Sequence, residues 1–128
     1  MSTATIIAAG SGGFFGAVAR LYLVGVVNRH LPHTLPFGTL LVNITGSFLL
    51  GIVFGLLYLS GGLSAHMKTF IVTGFLGAMT TYSTFAMESF FLFQGGSYLL
   101  LAANVALSVF GTIAAAGTGY LLITKVFT

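Results

Sequence analysis

Long apolar stretches, separated only by short polar segments, are the feature that most constrains this 128-residue chain. Charged residues make up only 4% of it, whereas soluble domains carry about 25%. Its mean hydropathy is +1.10. This composition provides too little charge for a soluble enzyme, for a basic nucleic-acid-binding surface or for disorder in water. The sequence therefore predicts an integral protein of the lipid bilayer, which is not an enzyme and has no nucleic-acid partner.

Four stretches are long enough to cross a membrane as helices, which takes about 20 mostly apolar residues. Their continuous apolar character, without strict alternation, favours helices over barrel strands. No basic residue precedes the first run, so we expect a spanning helix rather than a cleaved signal peptide. The predicted fold class is an all-α integral membrane protein with both termini on one side and a single domain over residues 1–128. Its four transmembrane helices are expected at about 5–27, 38–59, 67–93 and 98–127.

The basic residues are divided evenly between the two predicted sides of the membrane. Lys68 and Lys125 lie on the side of the termini, whereas Arg29, with Arg20 deeper in the first helix, lies toward the other side. Cytoplasmic loops normally carry more lysine and arginine. Either the four basic residues are too few to orient the chain, or the protein has dual topology and pairs as an antiparallel homodimer.

Glycine is unusually abundant, with 18 residues. Gly12 and Gly16, and again Gly51 and Gly55, have the four-residue spacing that lets membrane helices approach closely. Close packing explains most of these glycines. Because four short helices enclose no wide lumen, we also expect the chain to oligomerise.

Two tracks of uncharged polar residues recur at four-residue intervals, so each lies along one helix face. Polar groups inside a membrane are costly and often functional. The tracks either line a hydrated or ion-conducting path or bond one helix to another. They consist of Thr39, Asn43 and Ser47 in the second helix, and of Asn104, Ser108 and Thr112 in the fourth.

The middle of the third stretch combines glycines with a run of hydroxyl residues that includes Thr80 and Ser83. Glycine and β-branched residues weaken a helix. Non-helical backbone at this depth is tolerated only inside protein or beside a cavity. A broken helix would free carbonyls that can bind a cation, while an intact helix would bond its hydroxyls back to its own carbonyls. The composition leaves both possibilities open.

Two charged residues fall within or near the ends of predicted helices. Arg20 can extend to the membrane interface or draw anions into a vestibule. Glu88 can carry a proton or accept a hydrogen bond as a structural group. The chain has no cysteine, and its three histidines lie in polar breaks without a metal-binding spacing.

Two segments resemble the signature stretches of one known family. Residues 38–43 (GTLLVN), followed by Gly46, and residues 73–85 (TGFLGAMTTYSTF) are similar to those of the Fluc (CrcB) fluoride channels. The resemblance extends over essentially the whole chain. It implies a dual-topology, antiparallel homodimer with two pores, located as a multi-pass protein in the inner (plasma) membrane. It also implies passive fluoride export that protects a microbial cytoplasm from fluoride, and a structural sodium ion that is not transported.

The resemblance also implies roles for individual residues. The backbone carbonyls of Gly77 and Thr80 match the sodium-binding positions, with two carbonyls from each subunit, and Arg20 matches a vestibule arginine. Tyr82 replaces a phenylalanine that is usual in the family, and Ala78 replaces a glycine. The expected anion pore comprises Asn43, Tyr82, Phe85, Asn104, Ser108 and Thr112, together with Thr39 and Ser83.

Two alternatives belong to other functional classes. A small multidrug-type, proton-coupled cation exporter is also a four-helix, dual-topology dimer, but it relies on an embedded carboxylate, usually in the first helix. The first helix here carries Arg20 instead, and the chain has no tryptophan for a cation cage. A non-transporting membrane subunit would not need the polar tracks.

Overall fold

Four helical spans form the protein in the computed structural model, which describes residues 1–127. They are α1 (Thr3–His30), α2 (Phe37–Ser60), a composite third span (Ala65–Gln94) and α6 (Tyr98–Val126). All four are long and apolar enough to cross a membrane. Over the described residues every regular element is a helix, without strands, as the apolar runs predict.

The helix ends lie where the sequence provides capping or helix-breaking residues. The Ser2 side chain accepts a hydrogen bond from the Thr5 N–H, so α1 begins earlier than its apolar run. Pro36 directly precedes α2, and Gly61 ends it in the left-handed conformation, at φ 73°. The turn before α6 uses Gly96, which also has φ 73°. The observed bounds therefore extend slightly beyond most of the predicted ones.

The third span is broken near its middle, which is one of the two possibilities that its hydroxyl-rich sequence left open. It begins with α3 (Ala65–Lys68) and a π-helix (Thr69–Leu76), continues through one turn, α4 (Gly77–Met79), and resumes as α5 (Tyr82–Gln94). Between α4 and α5, Thr80 and Thr81 have extended backbone. The π-helix was not predicted, because its apolar residues show no pattern that separates it from an α-helix. Such segments are rare and often lie near functional sites.

Glycines set the closest approaches between the spans. The π-helix packs against α1, where a Cβ atom at Gly16 would overlap the Phe75 carbonyl. In the same way α2 packs against α6, where a Cβ at Gly51 would overlap the Ala116 carbonyl. This is the close packing that the glycine spacing indicates.

The interior holds polar side chains as well as apolar ones. Among the buried polar residues are Thr39, Asn43, Thr81, Asn104 and Ser108. Large apolar side chains are instead exposed along every span, where a bilayer would surround them. The fold therefore gathers the polar tracks between the helices.

Candidate functional site

A cavity of about 310 Å³ lies beside the break in the third span. Its walls come from α2, from the third span on both sides of the break, and from α6. Of the predicted site residues, the cavity brings together Asn43, Gly77, Thr80, Tyr82, Phe85, Ser108 and Thr112.

The described residues that line this cavity carry no charge. Their polar groups are amides, hydroxyls and backbone, and their apolar groups are aliphatic and aromatic side chains. Amides and hydroxyls can donate hydrogen bonds without adding a fixed charge. The cavity can therefore hold a small polar or anionic species, and it offers no carboxylate to a cation.

Asn43 pairs reciprocally with the backbone at the break. Its Nδ2 atom donates to the Thr81 carbonyl at 2.9 Å, and its Oδ1 atom accepts from the Thr81 N–H at 2.7 Å. These two bonds satisfy both backbone groups of an extended residue that is buried within the protein. An amide nitrogen carries two hydrogens, so Asn43 keeps a second N–H while it stabilises the break.

The same contacts leave two carbonyls without their helical donors. In a continuous α-helix the N–H of Thr81 would bond to Gly77, and that of Thr84 would bond to Thr80. Here the Thr81 N–H bonds to Asn43, and the Thr84 N–H bonds to the Thr81 hydroxyl at 3.3 Å. The carbonyls of Gly77 and Thr80 are thus available to another ligand, and neutral oxygens of this kind suit a hard cation. The donor set fits the expected sodium ion.

Two of the cavity hydroxyls are committed to backbone carbonyls. Thr80 Oγ1 donates to the Leu76 carbonyl at 3.0 Å, and Thr112 Oγ1 donates to the Ser108 carbonyl at 2.6 Å. This back-bonding is the usual arrangement of a hydroxyl in a membrane helix. Such a threonine hydroxyl must break its bond to the carbonyl of the preceding turn before it can donate to another group.

Tyr82 and Phe85 form an aromatic pair at the cavity wall. Their ring centroids are 5.4 Å apart and the rings are tilted by 55°. Phe85 is buried, at 9% exposure, whereas Tyr82 is 80% exposed. Ring edges carry partial positive charge, so Phe85, which lines the cavity, can contact an anion through its ring edge.

Other predicted residues lie outside this cavity. Thr39 donates to Glu88 Oε1 at 2.8 Å, and both residues line a second cavity of about 320 Å³. Asn104, at 1% exposure, donates to Ser89 at 3.0 Å and so joins α6 to α5. Ser83 is exposed and lies 3.4 Å from the Thr81 hydroxyl, and Arg20 is half-buried on α1.

Sequence reasoning missed two partners within this arrangement. Thr81 belongs to the predicted run of hydroxyl residues, yet its backbone is the group that Asn43 binds. Ser89 is not among the predicted site residues, although it accepts from Asn104. Both contacts are long-range, so local spacing carried no signal for them.

Together, the four spans and the uncharged cavity beside a broken helix define a small polytopic membrane protein of the channel or transporter class. Comparison with known proteins identifies the family within this class. The family model described as "CrcB-like protein, Camphor Resistance (CrcB)" matches residues 7–120. The chain belongs to the CrcB family, and it is accordingly a multi-pass protein of a bacterial plasma membrane.

Three similar proteins carry the name "Fluoride-specific ion channel FluC". The one from Sulfurimonas denitrificans is 51% identical over 123 residues, which is 96% of this chain and 95% of that protein. The one from Nautilia profundicola is 46% identical over 91% of each chain. One from Campylobacter jejuni is 45% identical over 92% of this chain and 96% of its own.

Proposed function

We propose that this protein is a fluoride-selective ion channel, which lets fluoride leave the cytoplasm passively and so reduces fluoride toxicity. The observation that carries the proposal is the uncharged, donor-lined cavity beside the broken third span. The names of the relatives, which align over nearly the whole chain, supply the identity of the ion.

The chemistry of the cavity agrees with this ion. Fluoride is small, strongly hydrated and a strong hydrogen-bond acceptor. A pore must replace its water with donors without binding the ion too tightly to release it. The second N–H of Asn43 and the hydroxyl of Ser108 are neutral donors of this kind, and the edge of Phe85 adds a weakly positive contact.

The proton-coupled cation exporter is less compatible with the same cavity. Such an exporter needs a carboxylate that both the proton and the cation can reach. Glu88 is the only acidic residue of the chain, and it lines the second cavity, where Thr39 donates to it. A cation entering the first cavity would find no counter-charge on the residues that line it.

The active form in this proposal is an antiparallel homodimer with dual topology. Gly77 and Tyr82 are exposed at the break, and polar backbone that faces lipid is costly. A second copy, inverted with respect to the first, would cover this surface and complete the pore walls. The even division of basic residues agrees with insertion in both directions.

We also propose that a structural sodium ion lies between the two copies. Its ligands are the carbonyls of Gly77 and Thr80 from each subunit, whose helical donors are diverted to other groups. When bound, the ion supplies positive charge to carbonyls that would otherwise be unsatisfied inside the membrane. It is not transported.

The experiment that tests the channel function is anion efflux from liposomes containing the purified protein. Fluoride efflux should far exceed chloride efflux under the same gradient and should need no proton gradient. Empty liposomes provide the control. Equal efflux of the two anions would contradict selectivity, and efflux that depends on a proton gradient would favour the exporter.

A further inference from the structure

Ser47 lines the same cavity as Ser108 but contributes from α2. It follows Asn43 by four residues and therefore lies one helical turn further along the same face. Part of its surface is accessible. The position places a hydroxyl on the α2 wall, next to the amide that holds the break.

The hydroxyl of Ser47 differs from most others in the spanning helices. In the described chain, neither Ser47 nor Ser108 makes a hydrogen bond through its hydroxyl. Six other hydroxyls instead bond to the carbonyl four residues earlier, namely those of Ser11, Ser60, Thr69, Thr80, Thr112 and Thr124. Ser47 and Ser108 therefore hold uncommitted donors in the cavity wall, one on α2 and one on α6.

Each of the other aliphatic hydroxyls in the cavity wall is already engaged. Thr80 and Thr112 donate to carbonyls, and the Thr81 hydroxyl donates to Thr84 and accepts its N–H. An anion in the cavity would therefore find hydroxyl donors at Ser47 and Ser108 without any bond being broken first. Thr80 and Thr112 can donate to the anion only after their hydroxyls release the backbone carbonyls that they bind.

We infer that Ser47 is an anion-contacting residue of the pore, and that it acts with Ser108 as a pair of hydroxyl donors from two neighbouring helices, α2 and α6. The inference rests on the proposed fluoride permeation and deepens it. Each hydroxyl would donate one hydrogen bond to a partly dehydrated anion, and neither would bring a charge. The α2 wall thus contributes two successive donors, the Asn43 amide and the Ser47 hydroxyl.

The test compares Ser47→Thr with Ser47→Val, which have nearly the same shape and differ by a hydroxyl. Fluoride efflux from liposomes is measured as a function of fluoride concentration. A hydrogen bond to a charged group is strong enough that its loss should raise the half-saturating concentration about tenfold in Ser47→Val. Ser47→Thr should remain close to the unsubstituted protein.

Ser60→Ala is the matched control on the same helix, because its hydroxyl is committed to the Leu56 carbonyl outside the cavity. It should leave the half-saturating concentration unchanged. Elution of each variant from a size-exclusion column shows whether it is folded and assembled. A purely structural role for Ser47 would lower the maximal efflux of both position-47 variants without separating their half-saturating concentrations, and that result would overturn the inference.

The outcomes also separate this inference from the channel proposal. If the unsubstituted protein passes no fluoride, the proposed function itself fails. If it does, but Ser47→Val and Ser47→Thr have equal half-saturating concentrations, only the role of Ser47 is refuted. Should Ser47→Val not assemble, Ser47→Ala replaces it, with the same tenfold expectation.

Discussion

At the scale of single residues, Asn43 combines two tasks that its amide allows and a carboxylate would not. It accepts from the Thr81 N–H and donates to the Thr81 carbonyl, and it lines the cavity. An ionised aspartate could still accept, but it could not donate. Replacing the amide nitrogen of Asn43 with an oxygen, as in aspartate, therefore tests both the helix break and the anion path.

We predict that Asn43→Asp nearly abolishes fluoride efflux. The variant loses the bond to the Thr81 carbonyl and places a negative charge in the cavity. Two like charges about 4 Å apart repel by about 4 kcal/mol at an effective dielectric of 20. Liposome efflux measures the effect, and Asn28→Asp, which makes the same change at the second cavity, should retain most of the flux. Unaltered efflux in Asn43→Asp would remove this residue from the pore.

At the scale of elements, the broken third span depends on backbone conformation more than on any single hydroxyl. The Thr80 methyl group packs where a Cβ at Gly46 would lie, and its hydroxyl bonds to Leu76. Thr81 caps α5 by accepting from the Thr84 N–H. Replacing both threonines with alanine removes the cap and raises helix propensity across the break.

We therefore predict that Thr80→Val reduces fluoride efflux only modestly, whereas the double variant Thr80→Ala/Thr81→Ala reduces it severely. Valine keeps the β-branched shape and loses one hydroxyl bond, which contributes about 1 kcal/mol. Efflux from liposomes and chromatographic assembly are compared for the two variants. A double variant as active as Thr80→Val would show that the break does not depend on these side chains.

A second prediction at this scale concerns the contact between α2 and α6. Gly51→Ala should destabilise the protein by about 1–3 kcal/mol, because its Cβ would overlap the Ala116 carbonyl and the helices would have to move apart. Gly13→Ala is the control, since no atom beyond its own stretch of helix backbone lies within 4 Å of an added Cβ there. Thermal unfolding in detergent measures both. Equal midpoints for the two variants would contradict the close approach at Gly51.

At the scale of the whole molecule, the proposed dimer would bury the break that a single copy exposes. We predict that adding several lysines at one terminus lowers activity, because it forces one orientation and prevents antiparallel pairing. Co-expression with a variant biased in the opposite direction should restore activity. Cross-linking that places the termini of all unmodified molecules on the same side of the membrane would refute dual topology.

The proposed structural sodium ion provides another whole-molecule prediction. Replacing all sodium with a large organic cation should abolish fluoride efflux and favour dissociation of the dimer, because the carbonyls of Gly77 and Thr80 would lose their shared ligand. Returning sodium should restore both properties. Efflux and size-exclusion chromatography are measured on the same samples. Full activity and an intact dimer in the strict absence of sodium would contradict the proposal.

The membrane spans and their boundaries were largely determined by local sequence. The bilayer admits helices of about 20 apolar residues and requires their backbone groups to be paired internally. Long apolar runs therefore predicted the four spans, and residues such as Pro36, Gly61 and Gly96 marked where they are separated. These signals are local, so a single sequence contains them.

The break and the distribution of the polar tracks were decided only by tertiary structure. Composition allowed either an intact or a broken third helix, and the broken form is held by Asn43, which is 38 residues away from Thr81. Each track divides in the same way. Thr39 and Asn104 bond to residues of α5, whereas Asn43 and Ser108, one turn later, line the cavity. Helical spacing places residues on one face, but the neighbouring helix determines whether that face meets a hydrogen-bond partner or open space.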